Sequence, residues 1–156
     1  MTNLLVKDDT VTTRVELTFL PVTDTPRPKW RANIEGVPLA GQPTVEFDVT
    51  SVKSGTKIAM KVDIPVMEQL GTAGTAAGYV APAKVAYTDT AFFTMIADDR
   101  STSQNRSDLL AIIVGLLQGA SSTTATGTLD QASAGQAFFS STAPIVSSIV
   151  QATKPS

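Results

Sequence analysis

The chain contains neither cysteine nor histidine among its 156 residues. The first absence rules out disulfides and thiolate metal sites. The second removes the commonest general base, the commonest zinc ligand and the histidine-dependent nucleophile systems. An excess of positive charge is missing too. Twelve Lys and Arg stand against 14 Asp and Glu, a net of −2, so nucleic-acid binding would have to come from local placement of cations. No apolar run approaches the roughly 20 residues that a bilayer-spanning helix needs. The start, MTNLLVKDD, lacks an apolar stretch of signal-peptide length, which predicts a protein made and kept in the cytoplasm. Carboxylate catalysis is the chemistry left open, with Asp98-Asp99 as its candidate pair. Adjacent residues at a strand end point apart, and a turn ahead of a helix N-terminus accounts for them. No enzyme activity, metal site or cofactor is expected.

What is present centres on residues 81–119. Val85 to Ile96 is rich in β-branched and aromatic residues, as a strand packed in a sheet requires. Asp98-Asp99-Arg100 ends it. Ser101-Thr102-Ser103-Gln104 fits a capping box, and Gly119 supplies a stop. In the helix between them, Leu109, Ile112, Ile113 and Leu116 follow helical spacing. Leu110, Val114 and Leu117 widen that stripe past one face, so a single sheet cannot hide it. A second copy of the chain is the expected cover.

Earlier segments alternate at period two. Leu4 to Lys7 forms a short strand, and Val11 to Phe19 a half-buried one. Pro21, Pro26 and Pro28 mark a loop, and Trp30, Ala32 and Ile34 begin a third strand. Val45, Phe47 and Val49 then face opposite to Glu46, Asp48 and Thr50, and Ile58 to Ile64 face opposite to Lys57, Ala59, Lys61 and Asp63. A two-residue turn at Ser54-Gly55 joins these runs. It sets Asp48 opposite Lys61 and Thr50 opposite Ala59, with Pro65 as the strand's end. Met67 to Pro82 is a Gly/Ala/Thr loop of functional length with no lysine for a phosphate loop. Residues 120–141 are low in complexity, and a second helix over 142–153 buries Ile145 and Ile149.

Strands first and helices last predict an α+β fold, an antiparallel sheet of about six strands followed by two C-terminal helices. The whole chain reads as one domain: sheet over 1–97, helix over 101–119, insertion over 120–141, second helix over 142–153.

Three local motifs occur in this order: Lys61-Val62-Asp63-Ile64-Pro65 before the long loop; Ala86-Tyr87-Thr88-Asp89 ahead of a helix ending Gly115-Leu116-Leu117; and Ala143-Pro144-Ile145-Val146-Ser147-Ser148-Ile149. In order and spacing they resemble the coat proteins of single-stranded RNA bacteriophages of the levivirus type. Residues 120–141 depart from that pattern, in which a brief turn joins the two helices.

The resemblance implies an interlocked homodimer whose sheets join edge to edge, with Leu109, Ile112, Ile113 and Leu116 at its interface. It implies assembly of dimers into an icosahedral shell, with Met67 to Pro82 in the contacts between them, around single-stranded genomic RNA. The expected location is the virion, made in the host bacterial cytoplasm, with no membrane partner. It also implies a translational repressor that binds an RNA hairpin. By the same resemblance, the RNA face takes in Thr50, Lys57, Ala59, Lys61, Tyr87 and Asp89. Lys61 would contact phosphate, Tyr87 would stack on an unpaired base and Asp89 would touch a base edge. Glu46, Asp48 and Asp63 offset the lysines on that face. The rival reading is a bacterial β-rich filament or shell subunit without an RNA role.

Overall fold

In a computed structural model the chain is described over residues 1–8, 15–68 and 83–118, together with Ile145, Ile149 and Ala152. It divides into two units. One comprises Met1–Val6 with Glu16–Asp99, and the other Lys7–Val15 with Arg100–Ser156.

Six strands make one antiparallel sheet in sequence order: β1 (Leu4–Lys7), β2 (Glu16–Thr23), β3 (Lys29–Ala32), β4 (Thr44–Val52), β5 (Gly55–Met67) and β6 (Val85–Asp98). Each strand pairs with its neighbour in the chain, so short loops suffice and β6 is left as a 14-residue edge.

The sheet differs from the sequence expectation at Ile34, which lies beyond the end of β3, at two prolines and at one turn. Pro21 lies within β2, opposite Trp30, where the register shifts between Pro21 and Thr23. A bulge tolerates a residue that cannot donate to the ladder. Pro65 likewise does not end β5, which continues to Met67. The β4 pairing stops at Thr44 opposite Asp63, so Pro65 gives up no bond to β4. The β4–β5 turn is Lys53-Ser54 rather than Ser54-Gly55, and Val52 pairs with Gly55. Gly55, at φ +143°, begins β5, and a Cβ there would collide with the backbone of Ala97. Glycine is used for the close passage of β6, not for the turn itself.

The two sheet faces differ sharply. The register puts Trp30, Val45, Phe47, Met60, Val62, Phe93 and Met95 on one face. It puts Lys29, Arg31, Glu46, Asp48, Lys57, Lys61 and Asp63 on the other. Among the described residues, the only buried hydrophobics are Phe19, Ala32 and Ala97, all on the apolar face. Gln42 is the one buried polar residue among those described, 6% exposed. Its amide accepts from the Ile34 N–H and donates to the Ile34 and Val37 carbonyls, each at 2.8 Å. The loop between β3 and β4 therefore closes on a fully bonded side chain, as burial demands.

The second unit contains helix α1 (Ser103–Gln118). Its cap is Thr102, whose hydroxyl accepts the Asn105 N–H at 3.2 Å. The third-position partner is thus Asn105, and Gln104 instead donates to Asp108 one turn on, at 2.7 Å. The Arg106 guanidinium ties the entry, donating to the Ser101 carbonyl at 2.7 Å. Leu109, Leu110, Ile112, Leu116 and Leu117 are exposed in the single chain, Ile112 by 61%. Ile145 and Ile149 are helical, as expected, but exposed. The remainder of Met67 to Pro82 beyond Glu68, and the 120–141 insertion, lie outside the described residues.

Candidate nucleic-acid interface

Each charged residue of the polar face reaches it through strand alternation, so cross-strand pairing decides which charges meet. Glu46 sits opposite Lys29 on one side and Lys61 on the other. The Lys29 ammonium binds the Glu46 carboxylate at 2.7 Å. Arg27, just before β3, reaches Asp48 at 3.5 Å.

Lys61 turns along its own strand to Asp63, with Nζ 2.7 Å from Oδ2. The other Asp63 oxygen accepts the Thr90 hydroxyl at 2.6 Å from β6. The hydrogen bond to Asp63 holds the Lys61 ammonium above its usual pKa, against a smaller effect of burial, with the Asp63 and Glu46 charges adding to the rise. For Asp63, burial pushes upward. The bonds from Lys61 and Thr90 and the charges of Lys61 and Lys29 outweigh it together, and the carboxyl titrates below its usual range. Both groups are charged near neutral pH.

All three carboxylates of the face are thereby engaged. Lys57 and Arg31 have no ion-pair partner among the described residues. They are the cations with charge to spare for a phosphate.

The structure brings Thr50, Lys57, Ala59 and Lys61 to one face, as expected, although Thr50 stands opposite Lys57 and Asp48 opposite Ala59. It does not bring Tyr87 and Asp89 there. Tyr87 pairs with Val66 and Asp89 with Ile64, which place both on the face opposite Lys61. The alternation along β6 does not reveal this, because polar and apolar residues occur at both parities. Only the β5 register, with its shift between Val66 and Met67, fixes the face.

The aromatic residue that shares the lysine face is Phe92, directly opposite Lys61. It is 73% exposed, and the Lys61 ammonium lies 5.9 Å from its ring centre, within reach of a cation–π attraction. Ile96, opposite Lys57, is 62% exposed on the same face. Neither was singled out by spacing, yet a signal existed. Phe92 and Phe93 are adjacent, and adjacent strand residues face opposite ways, so one ring had to stand among the polar side chains.

The fold has close counterparts. The family model described as "Levivirus coat protein" matches residues 1–152. The structure of a virus-like particle of bacteriophage EMS014 superposes with a TM-score of 0.82 at 34% identity, covering 100% of this chain and 99% of that one. The bacteriophage EMS014 coat protein does so with a TM-score of 0.79 at 33% identity, with the same coverage. The bacteriophage GA protein capsid shares the fold at 14% identity and a TM-score of 0.62, covering 97% of this chain and 94% of that one. A search of curated protein sequences returned no match.

Proposed function

Because this chain belongs to the levivirus coat protein family, and is thus a non-enzymatic capsid protein of the virion, we propose that it dimerises and encloses single-stranded RNA in an icosahedral shell. The RNA lies against the charged face of the sheet, where Lys57 and Arg31 supply phosphate contacts, Lys61 meets the RNA from within its pair with Asp63, and Thr50 and Ala59 line the surface between strands. The observation that carries this reading is the separation of faces, with every lysine and arginine of β3 to β5 on one side.

Dimerisation rests on two surfaces a single chain leaves open. β6 ends the sheet as a 14-residue edge. A long edge strand pairs readily with another chain. The exposed leucines and isoleucines of α1, Leu109, Ile112 and Leu116 with the half-buried Ile113, need cover from outside the single chain. A second copy supplies both. Met67 to Pro82 serves the contacts between dimers, and the same charged face binds an RNA hairpin in translational repression. Synthesis takes place in the cytoplasm of the bacterial host.

Electron microscopy with extraction of nuclease-protected RNA, on the protein expressed alone in bacteria, tests this. Uniform closed shells holding protected RNA are expected. Soluble monomers, or assemblies free of RNA, would overturn it.

A further inference from the structure

We propose that Phe92, backed by Lys61, is the platform on which an unpaired base of single-stranded RNA stacks. This deepens the RNA reading above and rests on it. Phe92 is the large aromatic of the cationic face, and 73% of it is exposed. Its neighbours on that face are short, apart from Lys61, whose ammonium stands over the ring while bound to Asp63. Thr90 and Thr94 flank it along β6, Ala59 lies diagonally across, and Lys61 is drawn toward Asp63 at 2.7 Å. The ring therefore has room for a planar partner.

Charge complementarity selects the partner. The ammonium of Lys61 sits 5.9 Å from the ring centre, and Lys57 follows four residues away on the same strand and face, roughly 13 Å along it. A ring beside the Lys61–Asp63 pair, with the uncommitted charge of Lys57 further along the strand, fits a ligand that is planar at one end and carries its anionic group at a distance from the ring. A nucleotide of single-stranded RNA has that form, and stacking on aromatics is sequence-tolerant.

The test is binding of a short single-stranded RNA oligonucleotide to purified full-length protein, measured across a salt series, with parent, Phe92→Ala, Phe92→Leu, Phe92→Trp, Lys57→Ala and Tyr87→Ala compared. Phe92→Ala and Phe92→Leu should each weaken binding roughly 5- to 100-fold with an unchanged salt slope. Lys57→Ala should lower the slope by about 0.7, and Tyr87→Ala should change neither.

If Phe92→Ala fails to fold, Phe92→Trp keeps the question answerable. Its indole emission should be quenched by the oligonucleotide against the constant background of Trp30, which lies on the other face. Weakening by Lys57→Ala with none by Phe92→Leu and no quenching in Phe92→Trp would overturn the stacking role while leaving RNA binding in place. Parent protein with no affinity for the oligonucleotide would overturn both. Normal RNA affinity in Phe92→Leu with lost particle assembly would assign the ring to a contact between copies instead.

Discussion

Replacing Gly55 by alanine tests the closest passage in the sheet. Gly55 stands at φ +143°, a region essentially reserved for glycine, and forcing another residue there costs about 1–3 kcal/mol. Sterics add to this. A Cβ would collide with the Ala97 carbonyl oxygen, and would lie 2.9 Å from its carbonyl carbon and 3.0 Å from the Asp98 Cα. These are backbone atoms of β6, so no side-chain rotation relieves them. The end of β6 must move off β5, and each ladder bond lost there costs about 0.5–1.5 kcal/mol. The combined loss is roughly 3–5 kcal/mol. Gly36 provides the comparison, since it also has positive φ, +77°, but nothing within 4 Å of its missing Cβ. Gly36→Ala should cost only about 1–2 kcal/mol, the backbone penalty alone. Urea unfolding followed by Trp30 fluorescence at one fixed protomer concentration measures both. Equal losses in the two variants would refute the close approach of β6 to Gly55.

Ile113→Asp places a charge in the apolar stripe of α1 and should abolish soluble assembly; normal particles from this variant would show that the stripe is not an interface. Thr102→Ala removes the cap seen at Asn105 and should lower stability by about 1 kcal/mol in thermal or urea unfolding. Asp63→Asn should cost less than about 1 kcal/mol at pH 7, in the range of partly exposed ion pairs. The folded-state pKa of Asp63 lies below its ordinary 3.8, so its contribution is present above that value and is lost as pH falls through the lower one. The difference between parent and variant in urea midpoints should therefore vanish in acid, and a pH-independent difference would count against the Lys61–Asp63–Thr90 linkage.

The sequence made much of this fold legible where alternation was clean. Thr44 to Thr50 of β4 show polar and apolar residues in strict turn, Lys57 to Ile64 of β5 do so but for Ala59, and their face assignments follow from that pattern alone. What it concealed were quantities set by a partner strand. The turn fell one residue earlier than Ser54-Gly55, because the demand for glycine came from Ala97, more than 40 residues away in sequence. Proline looked like a terminator at 21 and 65, yet at each place a register shift or the end of a neighbouring strand removed the need for its missing donor. The face that Tyr87 occupies is hidden for the same kind of reason. Residues 85–98 carry bulky or β-branched residues at both parities, so the face of each depends on register with β5, which local sequence does not encode.

The balance of charge on the polar face bears on how such a protein would hold RNA. A face designed for tight binding by one subunit would leave its cations free. Here Lys29 and Lys61 each hold a carboxylate at 2.7 Å and Arg27 holds one at 3.5 Å, and of the described cations of this face only Lys57 and Arg31 remain uncommitted. Each subunit then contributes one or two phosphate contacts, a weak and strongly salt-dependent attraction. In a shell, many identical faces meet one long polyanion, and once the first is engaged the others bind at high effective concentration. On the proposed function, weak sites in large number would grip the RNA in the assembled particle yet let single contacts exchange while the shell closes. The paired carboxylates would then act as a brake on the isolated subunit, and RNA binding would be a property of the assembly.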